Sequence, residues 1–219
     1  MTYTKTATTL ALLTTCFTMS VSPARAAETA AVRAANCRVY IGTYTRKGSK
    51  GIYVYQLDMA TGALTPGAEP AETTDPSFLA LHPNGRFLYA VSQTKKVKGE
   101  PPEGALCAFT IAPESGALSF LNQQLSQGQG PCHVSVDATG QALLVANYSS
   151  GSVASLPITA DGTLGEAVSV HQHEGTGGDP RRQRGPHAHS ITVVWRTAPA
   201  EPPPAACPPT PVSPIARRV

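Results

Sequence analysis

The 219-residue sequence predicts an all-β chain of four-stranded antiparallel blades, a β-propeller of which about three blades are present. Three observations predict it. Asp75–Gln93, DPSFLALHPNGRFLYAVSQ, reappears 55 positions on as GPCHVSVDATGQALLVANY, Gly130–Tyr148. A second element occurs three times, starting at Gly51, Gly104 and Gly151. No stretch of the mature body keeps helical periodicity. Repeats of roughly 40–50 residues with four short strands each are what a propeller blade requires.

The first blade is predicted from Arg38–Thr45, Gly51–Asp58 and Ala63–Pro66, with its innermost strand missing. The second comprises Ser77–His82, Arg86–Ser92, Ala105–Ile111 and Ala117–Leu125, whose residues are β-branched, aromatic or apolar and often alternate. The third spans Cys132–His171, and His187–Val194 is predicted to open a fourth as its innermost strand. Turns fall at Pro83-Asn84-Gly85, Glu114-Ser115-Gly116, Ala138-Thr139-Gly140 and Asp161-Gly162, with glycine where positive φ is needed.

Both ends read differently. Lys5, the apolar run Thr8–Val21 and Ala24-Arg25-Ala26 have the form of a secretory signal peptide, too short and threonine-rich to span a bilayer. The expected organisation is a signal peptide over 1–26, a linker over 27–37, the partial propeller over 38–194 and a disordered tail over 195–219. The chain is expected to be exported, to the periplasm or beyond the cell. Eight of the 20 prolines fall in Arg196–Val219. Proline removes a backbone donor and is excluded from central strands, so this composition reads as tail. The change of character inside one predicted strand leads to the expectation of a frameshift or early stop near Ile191–Trp195. Open blade faces are then expected to favour self-association.

Charge excludes some function classes. Residues 27–192 hold 12 Lys+Arg and 13 Asp+Glu, so no basic face argues for nucleic acid. In the mature body Cys37, Cys107 and Cys132 are odd in number and unrelated in spacing, which gives neither a disulfide framework nor a zinc site. Gly175–Asp179, GTGGD, lacks the GK[ST] ending of a phosphate loop. Lys95, Lys96 and Lys98 read as a solvated connection.

The segments VYIGTYT (Val39–Thr45), SKGIYVYQLDMATGALTP (Ser49–Pro66), PSFLALHPNGRFLYAV (Pro76–Val91), GPCHVSVDATGQALLVANY and RRQRGPHAHS (Arg181–Ser190) resemble the seven-bladed β-propeller lactonases. That family includes propeller-type 6-phosphogluconolactonases and fungal carboxymuconate cyclases. The resemblance covers about 38–192 and stops after Ile191. It implies a lactone hydrolase of the 6-phosphogluconolactonase kind, truncated toward its C-terminus and impaired by that loss. A small-molecule lactone or sugar acid is the implied partner, and no cofactor is implied.

GPHAHS carries the chemistry. Alternate residues of a strand share a face, so His187 and His189 should point the same way. Innermost strands line a propeller's central channel, where His133 of the preceding blade could add a third imidazole. Opening a lactone needs water activated near neutral pH, which suits histidine, and a donor for the oxyanion or an anionic substrate, which suits arginine. The catalytic candidates are His189, His133 and Arg182. His187, Asn147 and Tyr148 are candidate substrate contacts, with turn capping an open alternative for Asn147 and Tyr148. A His-x-His pair also serves as a structural hydrogen-bonded unit, and the residues alone leave both readings open. His171 and His173 with His187 and His189 suggest a metal, but zinc needs three or four converging ligands and Glu174–Asp179 separates the pairs, so no metal site is assigned. Two rival functions remain, an exported non-enzymatic binding propeller and a muconate-type lactonising enzyme. Sugar phosphates are cytosolic metabolites, so export weighs against a phosphorylated substrate.

Overall fold

A computed structural model describes residues 36–93 and 103–194. The expected signal peptide, nearly all of the linker, the lysine connection and the tail lie outside the described residues. The strands are β1 (Asn36–Gly42), β2 (Gly51–Asp58), β3 (Leu64–Pro66), β4 (Ala71–Glu72), β5 (Leu79–Leu81), β6 (Phe87–Gln93), β7 (Gly104–Ile111), β8 (Leu118–Leu125), β9 (Pro131–Val136), β10 (Ala142–Asn147), β11 (Ser152–Pro157) and β12 (Ser169–Gln172). They form three four-stranded sheets. In the first, β1 and β3 flank β2, and β4 also pairs with β2. The other two are antiparallel meanders, β5-β6-β7-β8 and β9-β10-β11-β12. The all-β, partial-propeller expectation therefore holds, with the blades where the repeats put them.

The described residues divide into two compact units, one holding 36–39 and Tyr55–Gly67, the other Tyr40–Val54, 68–93 and 103–194. In the smaller unit β2 and β3 pair Tyr55 with Pro66, Gln56 with Thr65 and Leu57 with Leu64. Asp58 closes their turn, its carboxylate accepting from the Ala60 and Thr61 amides.

In the larger unit β6 explains the layering. All of Phe87–Ser92 is buried, so period-2 burial gives way to a continuous apolar run. Phe87, Tyr89 and Val91 face the third sheet and join Val134, Leu143, Val145, Leu156 and Leu164 in one core cluster. Leu88 and Ala90 point the other way, to Ile52, Cys107 and Phe109, with Tyr40 and Ala71 packed alongside. One strand thus supplies both interlayer cores.

A repeated hydrogen bond ties these layers. The Tyr40 hydroxyl donates to the Gly116 carbonyl at 2.9 Å, and the Tyr89 hydroxyl to the Gly162 carbonyl at 3.1 Å. Each donor sits in one sheet and each acceptor in the last hairpin turn of the next. The sequence positions correspond, RVYIG aligning with FLYAV, while the third sheet has Leu144 at that place. Gly62, Gly116 and Gly162 have φ of 74°, 74° and 86°, so the three equivalent turns share a conformation that only glycine adopts freely.

The predicted fourth-blade strand does not form. His187–Val194 has no strand among the described residues. Ala188–Ile191 instead lies beside β9, tethered through side chains: the Cys132 thiol lies 3.5 Å from both the Ala188 and His189 carbonyls and donates its one hydrogen to either, and Ser135 Oγ donates to the Ile191 carbonyl at 2.9 Å. A strand needs a backbone ladder, and alternating residue types do not by themselves supply one. Pro186 also lacks an N–H to start such a ladder.

Candidate functional site

β9 and β10 position the site. Their register shifts between Ala146, opposite His133, and Asn147, opposite Pro131, leaving Cys132 as the extra residue of a bulge. Bulges re-aim side chains, and here Cys132 faces a cavity of about 340 Å³. The other walls come from Gly130 and Pro131, from Tyr148 and Ser149 after β10, from Ser77 and Gln93 of the second blade, from Tyr44 and Arg46 after β1, and from His189.

His189 is exposed and holds its ring edge-on to Tyr148, with centroids 5.6 Å apart at 88°. Of the three catalytic candidates it alone lines the cavity. His133 lies close by on β9, its ring 4.2 Å from that of Phe78. Its Nδ1 accepts from the Ile191 amide at 3.3 Å, so the neutral ring carries its hydrogen on Nε2. Burial, and secondarily the nearby His189, hold His133 below the ordinary histidine pKa. Burial pushes the Cys132 thiol up, so this sulfur is a protonated tether rather than a nucleophile.

His187 and Tyr148 stack, with centroids 4.4 Å apart and planes at 12°. The His187 Nδ1 lies 2.8 Å from the Tyr148 carbonyl and its Nε2 lies 3.0 Å from the Arg182 carbonyl. Both partners are acceptors, and a neutral ring has one N–H, so it donates to one carbonyl in each tautomer and fastens the segment. Arg182 belongs to an exposed turn built on Asp179, whose carboxylate accepts from the Arg181 and Arg182 amides. What Arg182 gives to His187 is its carbonyl, and its side chain is not on the cavity wall.

Asn147 is fully buried, its amide donating to the Ser126 carbonyl at 2.9 Å and to Ser152 Oγ at 3.2 Å. It joins β10 to its neighbours and does not reach the cavity, which corrects the expectation of a substrate contact. Among the described residues no group of three His, Cys, Asp or Glu side chains could hold a metal, and no helix is long and apolar enough to cross a membrane.

Tyr44 lies inside VYIGTYT and Arg46 directly follows it, yet neither is among the candidate site residues of the sequence. The available signal is positional: they follow the end of β1, as Tyr148 and Ser149 follow the end of β10.

Three comparisons bear on this arrangement. Residues 38–195 match the family model of the seven-bladed β-propeller lactonases. The chain is 41% identical over 150 residues to the 6-phosphogluconolactonase of Bacillus subtilis, covering 68% of this chain and 41% of that protein. It is 28% identical over 153 residues to the 6-phosphogluconolactonase of Formosa agariphila, covering 69% and 42%. Among solved structures, the periplasmic gluconolactonase of Pseudomonas aeruginosa superimposes with a TM-score of 0.65 at 34% identity, covering 72% of this chain and 44% of that one. The chain thus spans about two fifths of the length of these relatives. Repeated blades, the GPHAHS segment beside β9 and the family match across 38–195 lead to one conclusion: this chain belongs to the seven-bladed β-propeller lactonase family.

Proposed function

We propose that the protein hydrolyses a sugar lactone of the gluconolactone class, taking 6-phosphoglucono-lactone and water to 6-phosphogluconate. The observation that carries this reading is the His189 imidazole on the wall of a cavity large enough for one sugar ring, in a chain of the lactonase family. His189 takes a proton from water as the oxygen attacks the lactone carbonyl carbon. The carbonyl oxygen becomes an oxyanion as the tetrahedral intermediate forms. The ring C–O bond then breaks, and the leaving oxygen recovers the proton. Arg182 has no part in this reading beyond holding His187 by its carbonyl.

A second substrate, the unphosphorylated gluconolactone, is favoured by the signal-like N-terminus together with a periplasmic relative. Export and a place in carbohydrate metabolism belong to the same proposal. The test is acid release in a pH-stat from 6-phosphoglucono-δ-lactone and from glucono-δ-lactone. Hydrolysis above the buffer blank is expected, and His189→Ala should lower it roughly 10²–10⁴-fold, as for loss of a general base. A rate equal to the blank with both lactones overturns the reading.

A further inference from the structure

The β1–β2 connection holds a buried carboxylate in an unusual place. Asp75, only 8% exposed, has φ of 49°, a conformation that costs a non-glycine residue energy and that recurs at functional sites. Its Oδ1 accepts from the Thr45 amide at 2.8 Å and from the Thr45 hydroxyl at 3.1 Å, and its own amide donates back to Thr45 Oγ1 at 3.3 Å. Thr45 stands between Tyr44 and Arg46, both on the cavity wall that His189 shares. Three bonds to a strained residue therefore fix the one residue that separates two cavity groups. Arg46 is exposed at the opening of a short 3-10 turn, Arg46–Gly48, and lines the cavity.

We infer that Arg46 is the anion-recognition residue of this cavity and that Asp75, through Thr45, is its positioning residue. The ligand class is a sugar lactone or sugar acid bearing an oxyanion, phosphate or carboxylate. Arginine suits either, because its planar fork pairs bidentately with both. The inference rests on the lactone reading for the identity of the ligand, and on geometry alone for the anion site. Tyr44 adds an aromatic wall and a hydroxyl suited to the sugar face.

The experiment is isothermal titration calorimetry of the full chain with 6-phosphogluconate and with gluconate. Arg46→Ala, at an exposed position, should weaken 6-phosphogluconate binding by about tenfold or more, the scale of a lost charge-assisted pair, while Arg46→Lys keeps part of it. A loss confined to 6-phosphogluconate assigns Arg46 to phosphate, and an equal loss with gluconate assigns it to carboxylate. Asp75→Gly tolerates the positive φ but releases Thr45, and should weaken binding like Arg46→Ala. Asp75→Asn keeps an acceptor and should restore it. Unaltered binding by Arg46→Ala, or no binding of either acid by the native chain, overturns the inference. An Arg46-dependent affinity in a chain that releases no acid from lactones would retain the anion site and remove the hydrolase.

Discussion

The His187 imidazole lies flat on the Tyr148 ring, 4.4 Å between centroids, while its Nδ1 reaches the carbonyl of the same tyrosine at 2.8 Å. One residue is thus held by both the ring and the backbone of another 39 positions away. The contact pins the segment that carries His189 to the end of β10. His187→Ala should loosen it, raising amide exchange of Ala188–Ile191 by about tenfold, the scale of a lost hydrogen bond and ring stack. Tyr148→Phe keeps ring and carbonyl and should leave exchange as it was. Native protection in His187→Ala, followed by hydrogen–deuterium exchange, would remove the anchoring role.

His133 should titrate below the ordinary histidine value of about 6.5, because burial and then His189 disfavour its cation. Between that value and the folded one, the unfolded chain takes up a proton that the folded chain refuses. The associated stability is present above about pH 6.5 and is lost as pH falls toward the folded pKa. Proton NMR of the His133 ring gives the direct check. In His189→Gln the titration should move back upward but stay below normal, since burial remains. A midpoint at or above the ordinary value in the native chain contradicts the assignment.

Tyr89 is fully buried, and its phenol is pushed up to about 12, by burial first and then by Asp161. Its contribution is intact below pH 10, where both states keep the proton, and falls as pH rises toward 12 because only the unfolded chain ionises. The slope should be about 1.4 kcal/mol per pH unit. Tyr89→Phe should cost about 1–2 kcal/mol at neutral pH, where it strands the Gly162 carbonyl, and should remove that alkaline slope. Denaturant melts of both chains from pH 8 to 12 measure it; parallel curves would refute the argument.

Gly162 and Gly62 occupy the same turn in different surroundings. A Cβ at Gly162 would stand 2.4 Å from the Phe87 ring, whereas at Gly62 nothing lies within 4 Å. Gly62→Ala should therefore cost only the positive-φ strain, about 1 kcal/mol. Gly162→Ala adds overpacking and should cost about 3 kcal/mol in total. Equal losses in chemical denaturation would show that the Phe87 contact gives way freely.

The blades were legible because each unit must repeat the same local solution. Three turn glycines, the buried run Phe87–Ser92 and the DPSFLALHPNG/GPCHVSVDATG pair all report local chemistry that survives translation along the chain. The GPHAHS segment that carries His189 was legible for the same reason, as one contiguous motif. Arg46 and Asp75 were not, since their meaning lies in a contact across 30 positions between segments with no shared pattern. Asn147 misled because a polar residue ending a strand reads alike whether it faces ligand or satisfies a neighbouring carbonyl. His187–Val194 misled because alternation describes side chains, whereas a strand is decided by the backbone beside it.

The two tyrosine–glycine bonds also set a timetable. Donor and acceptor are 76 residues apart in one and 73 in the other. At synthesis rates of about 5–20 residues per second, each tyrosine waits about 4–15 s before its glycine exists. For that interval the apolar face of β6 that belongs against the third sheet is bare on the nascent chain. The protein in the making therefore needs that face shielded while it is still on the ribosome, and slowing translation after Val91 would lengthen the exposure in direct proportion.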